Sequence, residues 1–201
     1  MQNLFRGIAG FVALAGLAGC QSSLMVKGGG EAHAPAPGKA MVVFMRPSSF
    51  GGAIQSSVYD TAEPEDRFIG IVSAGTKLAY QAEPGDHLFM VQAENADFMI
   101  AHLDAGKTYY VDVKPRIGVW KARFSLIPIH DDPTAEYSLR SEAFAKWNRD
   151  TDWVTLTPEA EQWYRSHAAD IRTKKLDYIK KWDAMLPADK AVLTLHAKDG
   201  L

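Results

Sequence analysis

Between Ala40 and Ile129 the hydrophobic positions come in short runs, and turn-forming residues interrupt them about every ten residues. Eight runs read as strands: Ala40–Arg46, Ala53–Tyr59, Arg67–Val72, Thr76–Ala82, His87–Ala93, Phe98–Leu103, Thr108–Lys114 and Val119–Ile129. Pro84-Gly85-Asp86 and Asp104-Ala105-Gly106-Lys107 are turn signals between them. Alternation is clearest in Thr108–Lys114. There Tyr109, Val111 and Val113 share one face, and Thr108, Tyr110, Asp112 and Lys114 share the other. Ala40–Phe44 is apolar at every position, the pattern of a central strand covered on both sides.

Beyond Pro128 the period lengthens. Ser138–Trp147 predicts a short helix with Phe144 and Trp147 on one side, and Trp153–Leu156 a short strand. Thr157-Pro158 predicts a helix start, with Thr as N-cap and Pro in the first turn. That helix runs to about Met185 and stops at Pro187. Tyr164, His167, Ile171, Tyr178 and Trp182 share one of its faces. Glu161/Arg165, Asp170/Lys174 and Asp177/Lys181 are acid-before-base pairs at i,i+4. Ala191–His196 is a weak candidate for an edge strand. The fold class expected is mainly β: an antiparallel β-sandwich of about seven or eight short strands, with a C-terminal helical appendage of one short and one long amphipathic helix.

The first residues follow a different rule. Met1–Arg6 carries one positive charge, Gly7–Gly16 is an apolar run, and Leu17-Ala18-Gly19-Cys20 places small residues before a cysteine. A basic start, a short apolar stretch and a small-residue cut site read as an export signal. The apolar run is too short to span a bilayer, which takes about 20 residues. Leu-Ala-Gly-Cys resembles the lipobox of bacterial lipoproteins. The resemblance implies cleavage before Cys20, a diacylglyceryl group on its thiol and an acyl chain such as palmitate on its new amine. Gln21, where an inner-membrane lipoprotein tends to carry Asp, implies the outer membrane, with the protein facing the periplasm. Stable anchoring takes two or more acyl chains, at about 0.8 kcal/mol per buried CH2, and a triacylated cysteine meets that condition.

Gln21–Lys39 is rich in Gly, Ala and Pro and reads as a flexible tether, with a reach of roughly 25 Å. The expected organisation is therefore a signal over 1–19, a lipidated tether over 20–38, a β-sandwich over 39–130 and a helical region over 131–201 packed on it. The mature chain of 182 residues carries 21 basic and 24 acidic residues, a balance with no long-range field for nucleic acid. Cys20 is the one cysteine, so an intrachain disulfide is excluded.

Five short pieces carry a further resemblance. Gly38-Lys39-Ala40, Phe44-Met45-Arg46-Pro47-Ser48-Ser49-Phe50, Val58-Tyr59-Asp60, Pro84-Gly85-Asp86-His87 and Ala105-Gly106-Lys107-Thr108-Tyr109-Tyr110 are similar in order and spacing to a bacterial lipoprotein family catalogued as domain of unknown function 2846. The similarity covers roughly residues 38–128. It implies an envelope lipoprotein and supplies no activity.

Motifs for a nucleophile elbow, a phosphate loop, a dinucleotide fold or a zinc-protease helix are absent from the sequence. His130-Asp131-Asp132 is the best local metal candidate, against a plain polar turn. His87 with His102 is a long-range candidate. Lys174, Lys175, Lys180 and Lys181 cluster on the long helix, which either lies on anionic lipid, docks a partner or packs on the sandwich. Tyr109, Tyr110 and Trp120 are the aromatics of a candidate ligand or partner surface. Three functions compete: a non-enzymatic envelope module that binds a protein partner; a small-ligand or glycan binder; and a hydrolase with a discontinuous site. The first is the expectation, with no cofactor and no catalytic residue assigned.

Overall fold

The computed structural model describes residues 23–28, 34–52, 54–61, 66–116 and 123–201. Among the described residues eleven strands form two sheets: β1 Met25–Lys27, β2 Ala40–Arg46, β3 Ser56–Asp60, β4 Arg67–Val72, β5 Thr76–Ala82, β6 Gly85–Gln92, β7 Ala96–Leu103, β8 Thr108–Arg116, β9 Arg123–Ile129, β10 Asp152–Leu156 and β11 Thr194–Leu195. The first sheet has the order β1-β10-β5-β2-β8-β9, and the second β11-β7-β6-β3-β4. Helices α1 Glu142–Asp150, α2 Pro158–Asp183 and α3 Pro187–Ala191 complete the chain, with a 3-10 turn at Ala197–Asp199.

The fold is mainly β, as expected, but the sheets are mixed and neither closes into a barrel. β2 runs parallel to β8, β10 to β5, and β11 to β7. The expected all-antiparallel arrangement of seven or eight strands is corrected on both counts. Alternation within a strand reports which side is buried, whereas pairing direction depends on how the chain passes from one sheet to the other. Strand β2 is central in its sheet and buried at all seven positions, as its unbroken apolar run implies. Val42 and Phe44 face a core shared by both sheets, with Val58, Phe89, Tyr109 and Val111. Met41, Val43 and Met45 face the other way, into a smaller cluster covered by Phe144 and Trp147 of α1.

Helix α1 starts later than expected. Ser141 is its N-cap, with Oγ accepting from the Phe144 amide at 3.0 Å. Helix α2 begins at Pro158 behind Thr157, as expected, but the Thr157 hydroxyl makes no capping bond. The aromatic stripe of α2 packs on the second sheet: Tyr164 stacks on Phe68 with ring centroids at 5.5 Å, and Trp182 meets Phe98 at 5.9 Å. Two of the three expected i,i+4 ion pairs give way to other contacts, one tertiary and one within the helix. Only Glu161–Arg165 forms; Lys174 donates to the Ala93 carbonyl at 2.7 Å, and Lys181 lies over the Tyr178 ring. Lys175 pairs with Asp66 at 2.6 Å. Two members of the lysine cluster are thus turned to the fold.

The tether also needs correction. Met25–Lys27, inside the Gly- and Pro-rich stretch, forms β1 and pairs antiparallel with β10, Met25 opposite Leu156. Met25 is buried, and its sulfur accepts from the Ile71 amide at 3.4 Å. Gly70 makes room for this: at φ +153°, a Cβ there would stand 3.2 Å from Met25 Cε and 2.9 Å from Leu78 Cδ2. Composition reads this stretch as linker because three residues are too few to show a period.

One buried group opposes the fold. Asp112 lies on β8 with Oδ1 buried and, among the described residues, lacking a hydrogen-bond partner. Burial raises its carboxyl to about 6, against the opposing pull of Lys114 and Arg46. With the folded value above the unfolded 3.8, the folded state holds the extra proton, and stability falls as pH rises through that window. Asp112→Asn removes the charge and keeps the shape. Urea unfolding at pH 7 is expected to show a gain of about 1–2 kcal/mol, part of the electrostatic penalty being offset by the new amide donors. A gain equally large at pH 4 would show that charge is not the cause.

Candidate functional site

Tyr109 does not present a surface. It is fully buried, its hydroxyl accepts from the Asp104 amide at 2.9 Å and it donates to the Ala197 carbonyl at 3.2 Å. Tyr110 lies half-buried against Phe144, ring centroids 4.9 Å apart and near-perpendicular. Both rings are taken up by packing because β8 is an interior strand covered on each side. Trp120 and Cys20 lie outside the described residues.

The histidines are engaged separately. His87 and His102 are not brought together: His87 pairs in register with Ala101, so His102 projects from the opposite face of the sheet. His102 Nδ1 contacts Asp86 at 2.6 Å. His130 Nδ1 contacts the buried Asp199 at 2.9 Å, Asp131 binds Arg140, and Asp132 caps Thr134. The three members of the His130 candidate are thus drawn to different partners. Among the described residues no group of three His, Cys, Asp or Glu side chains is placed to hold a metal ion. Ser166 and His167 are in contact at 3.0 Å but sit side by side on exposed α2. Both bond to the Trp163 carbonyl, which leaves His167 Nδ1 no lone pair to activate the serine.

Three polar clusters tie the structure internally. Arg46 is fully buried, and its guanidinium donates to the carbonyls of Ile54, Phe50 and Gly51, at 2.6, 3.0 and 2.7 Å. Asp60 Oδ2 accepts from Tyr80 at 3.0 Å and from His87 Nδ1 at 2.8 Å, joining β3 and β6 of one sheet to β5 of the other. At a separate point Asn95 Nδ2 donates to the Phe124 carbonyl, and Asn95 Oδ1 accepts from the Phe124 amide, while Ser125 binds Asp97. In the sequence His87 is a candidate only together with His102, because partners 27 residues apart, such as Asp60 and His87, leave no local pattern.

A candidate for binding is a cleft of about 400 Å³ between α2 and the second sheet. Trp163, His167, Asp170 and Lys174 line it from α2, at the three- and four-residue steps that share a helix face. Ser57, Tyr59 and Gln92 line it from β3 and β6, and Leu24 lies on its wall. The side chains sort this way because Ser57 and Gln92 are register partners and so point to the same side of the sheet. Trp163 stacks on His167 with centroids at 4.7 Å. Among the described residues Gln92 Oε1, which is buried, has no hydrogen-bond partner, and Asp170 forms no ion pair with Lys174. The arrangement offers an aromatic wall and a buried acceptor. No protein-family model matches the chain, and no curated protein sequence matches it.

Proposed function

We propose that this chain is a lipid-anchored protein of the cell envelope, held at Cys20 in the outer membrane facing the periplasm, whose folded domain is a non-enzymatic binding or assembly module for another envelope protein. The observation that carries the reading is the order at the N-terminus: one basic residue, a ten-residue apolar run, then Leu17-Ala18-Gly19-Cys20 directly ahead of a folded domain. The resemblance to the lipoprotein family of unknown function belongs to the same proposal. It is supported by the way the ionisable groups are used. Arg46, Asp60, His87, Asp199 and Lys77 each bond within the fold, and such groups hold sheets and loops rather than reacting atoms.

The test begins with the anchor. Wild-type protein expressed with labelled fatty acid is expected to carry the label and to fractionate with outer membranes. Cys20→Ala is expected to lose both properties. A wild type that takes up no label, or a variant that stays with membranes, overturns the anchor. Crosslinking of the lipidated protein in its native envelope then tests the partner. Repeated recovery of no crosslinked protein counts against the module reading.

A second reading, a small-ligand binder, is favoured by the buried, unpartnered Gln92 Oε1 in the α2 cleft. It moves the ligand surface from Tyr109 and Tyr110 to Trp163 and Gln92.

A further inference from the structure

The tether, once shortened by β1, decides which side of the domain meets the membrane. Leu24 is already fixed: its carbonyl accepts from the Thr157 amide at 3.0 Å. Met25, next in line, is buried in the core. Only four peptide units separate Cys20 from Leu24, and a fully extended chain covers at most about 14 Å over that length. The lipid head groups occupy roughly 5–8 Å of this on each side of the bilayer. A domain of this size has a radius of gyration of about 16 Å. The remaining slack is therefore smaller than the domain's own radius, and the surface around Leu24 has no room to turn away.

We propose that the domain rests on the lipid surface on the side formed by β1, β10 and the first turns of α2, so that Val26 and Leu156 lie at the head-group layer and the cleft walled by Leu24 and Trp163 borders it. This inference rests on the lipid-anchor reading and adds orientation to it. Val26 and Leu156 are 51% and 42% exposed at this sheet edge; Leu156 is opposite Met25 in register, so Val26 and Leu156 flank the edge on opposite faces, and an edge-on approach brings both to the head groups. Apolar side chains in that position suit an interface better than open water. The charges nearby do not select anionic lipid. Lys27 pairs with Asp152, Arg165 with Glu161, and Glu159 adds a negative charge. The contact is thus imposed by the short tether, and a zwitterionic membrane suffices for it. The far side is set by α2, which crosses from Phe68 on β4, met by Tyr164, to Phe98 on β7, met by Trp182. Those eighteen residues of helix span on the order of 27 Å. Past them stand Leu186 and Val192, exposed on the α3 side.

The experiment uses the full lipidated protein in phosphatidylcholine vesicles. Acylation converts the only natural thiol to a thioether, so Leu156→Cys and Val192→Cys each offer one site for a fluorophore. Lipids with a nitroxide on the head group are expected to quench the Leu156 probe several-fold more strongly than the Val192 probe. Inserting about twelve Gly and Ser residues between Ser22 and Ser23, a further reach of roughly 20 Å, is expected to abolish the contrast. Equal quenching at both positions in protein whose Cys20 is shown by mass spectrometry to be acylated overturns the orientation and leaves the anchor standing. A free, unacylated Cys20 overturns both. A contrast that survives the insertion shows that the tether does not set the orientation, and so overturns the mechanism argued above.

Discussion

Arg46→Met is expected to destabilise the fold by about 3–5 kcal/mol, seen as a large fall in the urea midpoint with little change in slope. The cost does not come from lost charge alone. Arg46 sits at the end of the central strand with no exposed surface, and its guanidinium satisfies three carbonyls of the loop that follows, those of Phe50, Gly51 and Ile54. It also lies over the Phe124 ring at 4.6 Å, which ties the loop to β9. Burial lowers its pKa to about 10, partly offset by Asp112, so it stays charged at neutral pH. Methionine fills much of the volume but leaves those carbonyls without donors, each costing about 1–3 kcal/mol when buried and unmet. Lysine keeps the charge and replaces a planar fork by a point donor. Arg46→Lys is therefore expected to recover less than half of the loss. A midpoint unchanged in Arg46→Met would falsify the view that this loop hangs on one side chain.

Asp60→Asn is expected to cost about 3 kcal/mol at pH 6, and the cost is expected to shrink as pH rises. Both nitrogens of His87 face acceptors, the Asp60 carboxylate on one side and the Glu83 carbonyl at 2.9 Å on the other, so the charged ring donates at both ends. Burial pulls its pKa down, but the hydrogen bond and charge of Asp60, with the Glu83 carbonyl, outweigh burial and hold it above 6.5. A histidine whose folded pKa is raised contributes stability that is complete below the unfolded value, near 6.5, and is lost as pH climbs through the folded one. The wild type is thus expected to lose stability from about pH 6.5 upward. His87→Gln, which keeps one donor and does not titrate, is expected to flatten that part of the profile. Parallel profiles for wild type and His87→Gln over pH 6–9 would remove the latch between the sheets as a source of pH dependence.

Much of the fold was legible because burial writes a period into a strand. Strands β2, β4 and β5 run over Ala40–Arg46, Arg67–Val72 and Thr76–Ala82, the ranges their hydrophobic runs predict. The long helix starts at the Thr157-Pro158 signal, and its aromatic stripe faces the sheet. Less of the candidate site was legible. The aromatic pair Tyr109-Tyr110 stands out in the sequence, yet its rings are interior, because an alternating strand says that one face is buried and not whether a helix covers the other. Trp163 and Gln92, which line the same cleft, are 71 positions apart, and neither sits in a pattern that distinguishes it from packing.

What the sequence by itself determined is local: where most of the strands and the long helix lie, and which strand is central. Those follow from side-chain period, turn chemistry and residue type within a few positions. The tertiary structure alone decided which strands run parallel, which partners Arg46, Asp60 and His87 take, and that Met25 anchors the chain five residues after Cys20. The parallel pairings, the Asp60–His87–Tyr80 link and the seat of Met25 depend on segments far apart closing on one another, while the Arg46 loop depends on the burial that Phe124 of β9 gives it. Loop closure leaves no mark on the residues it joins until the buried polar groups are seen to be satisfied by it.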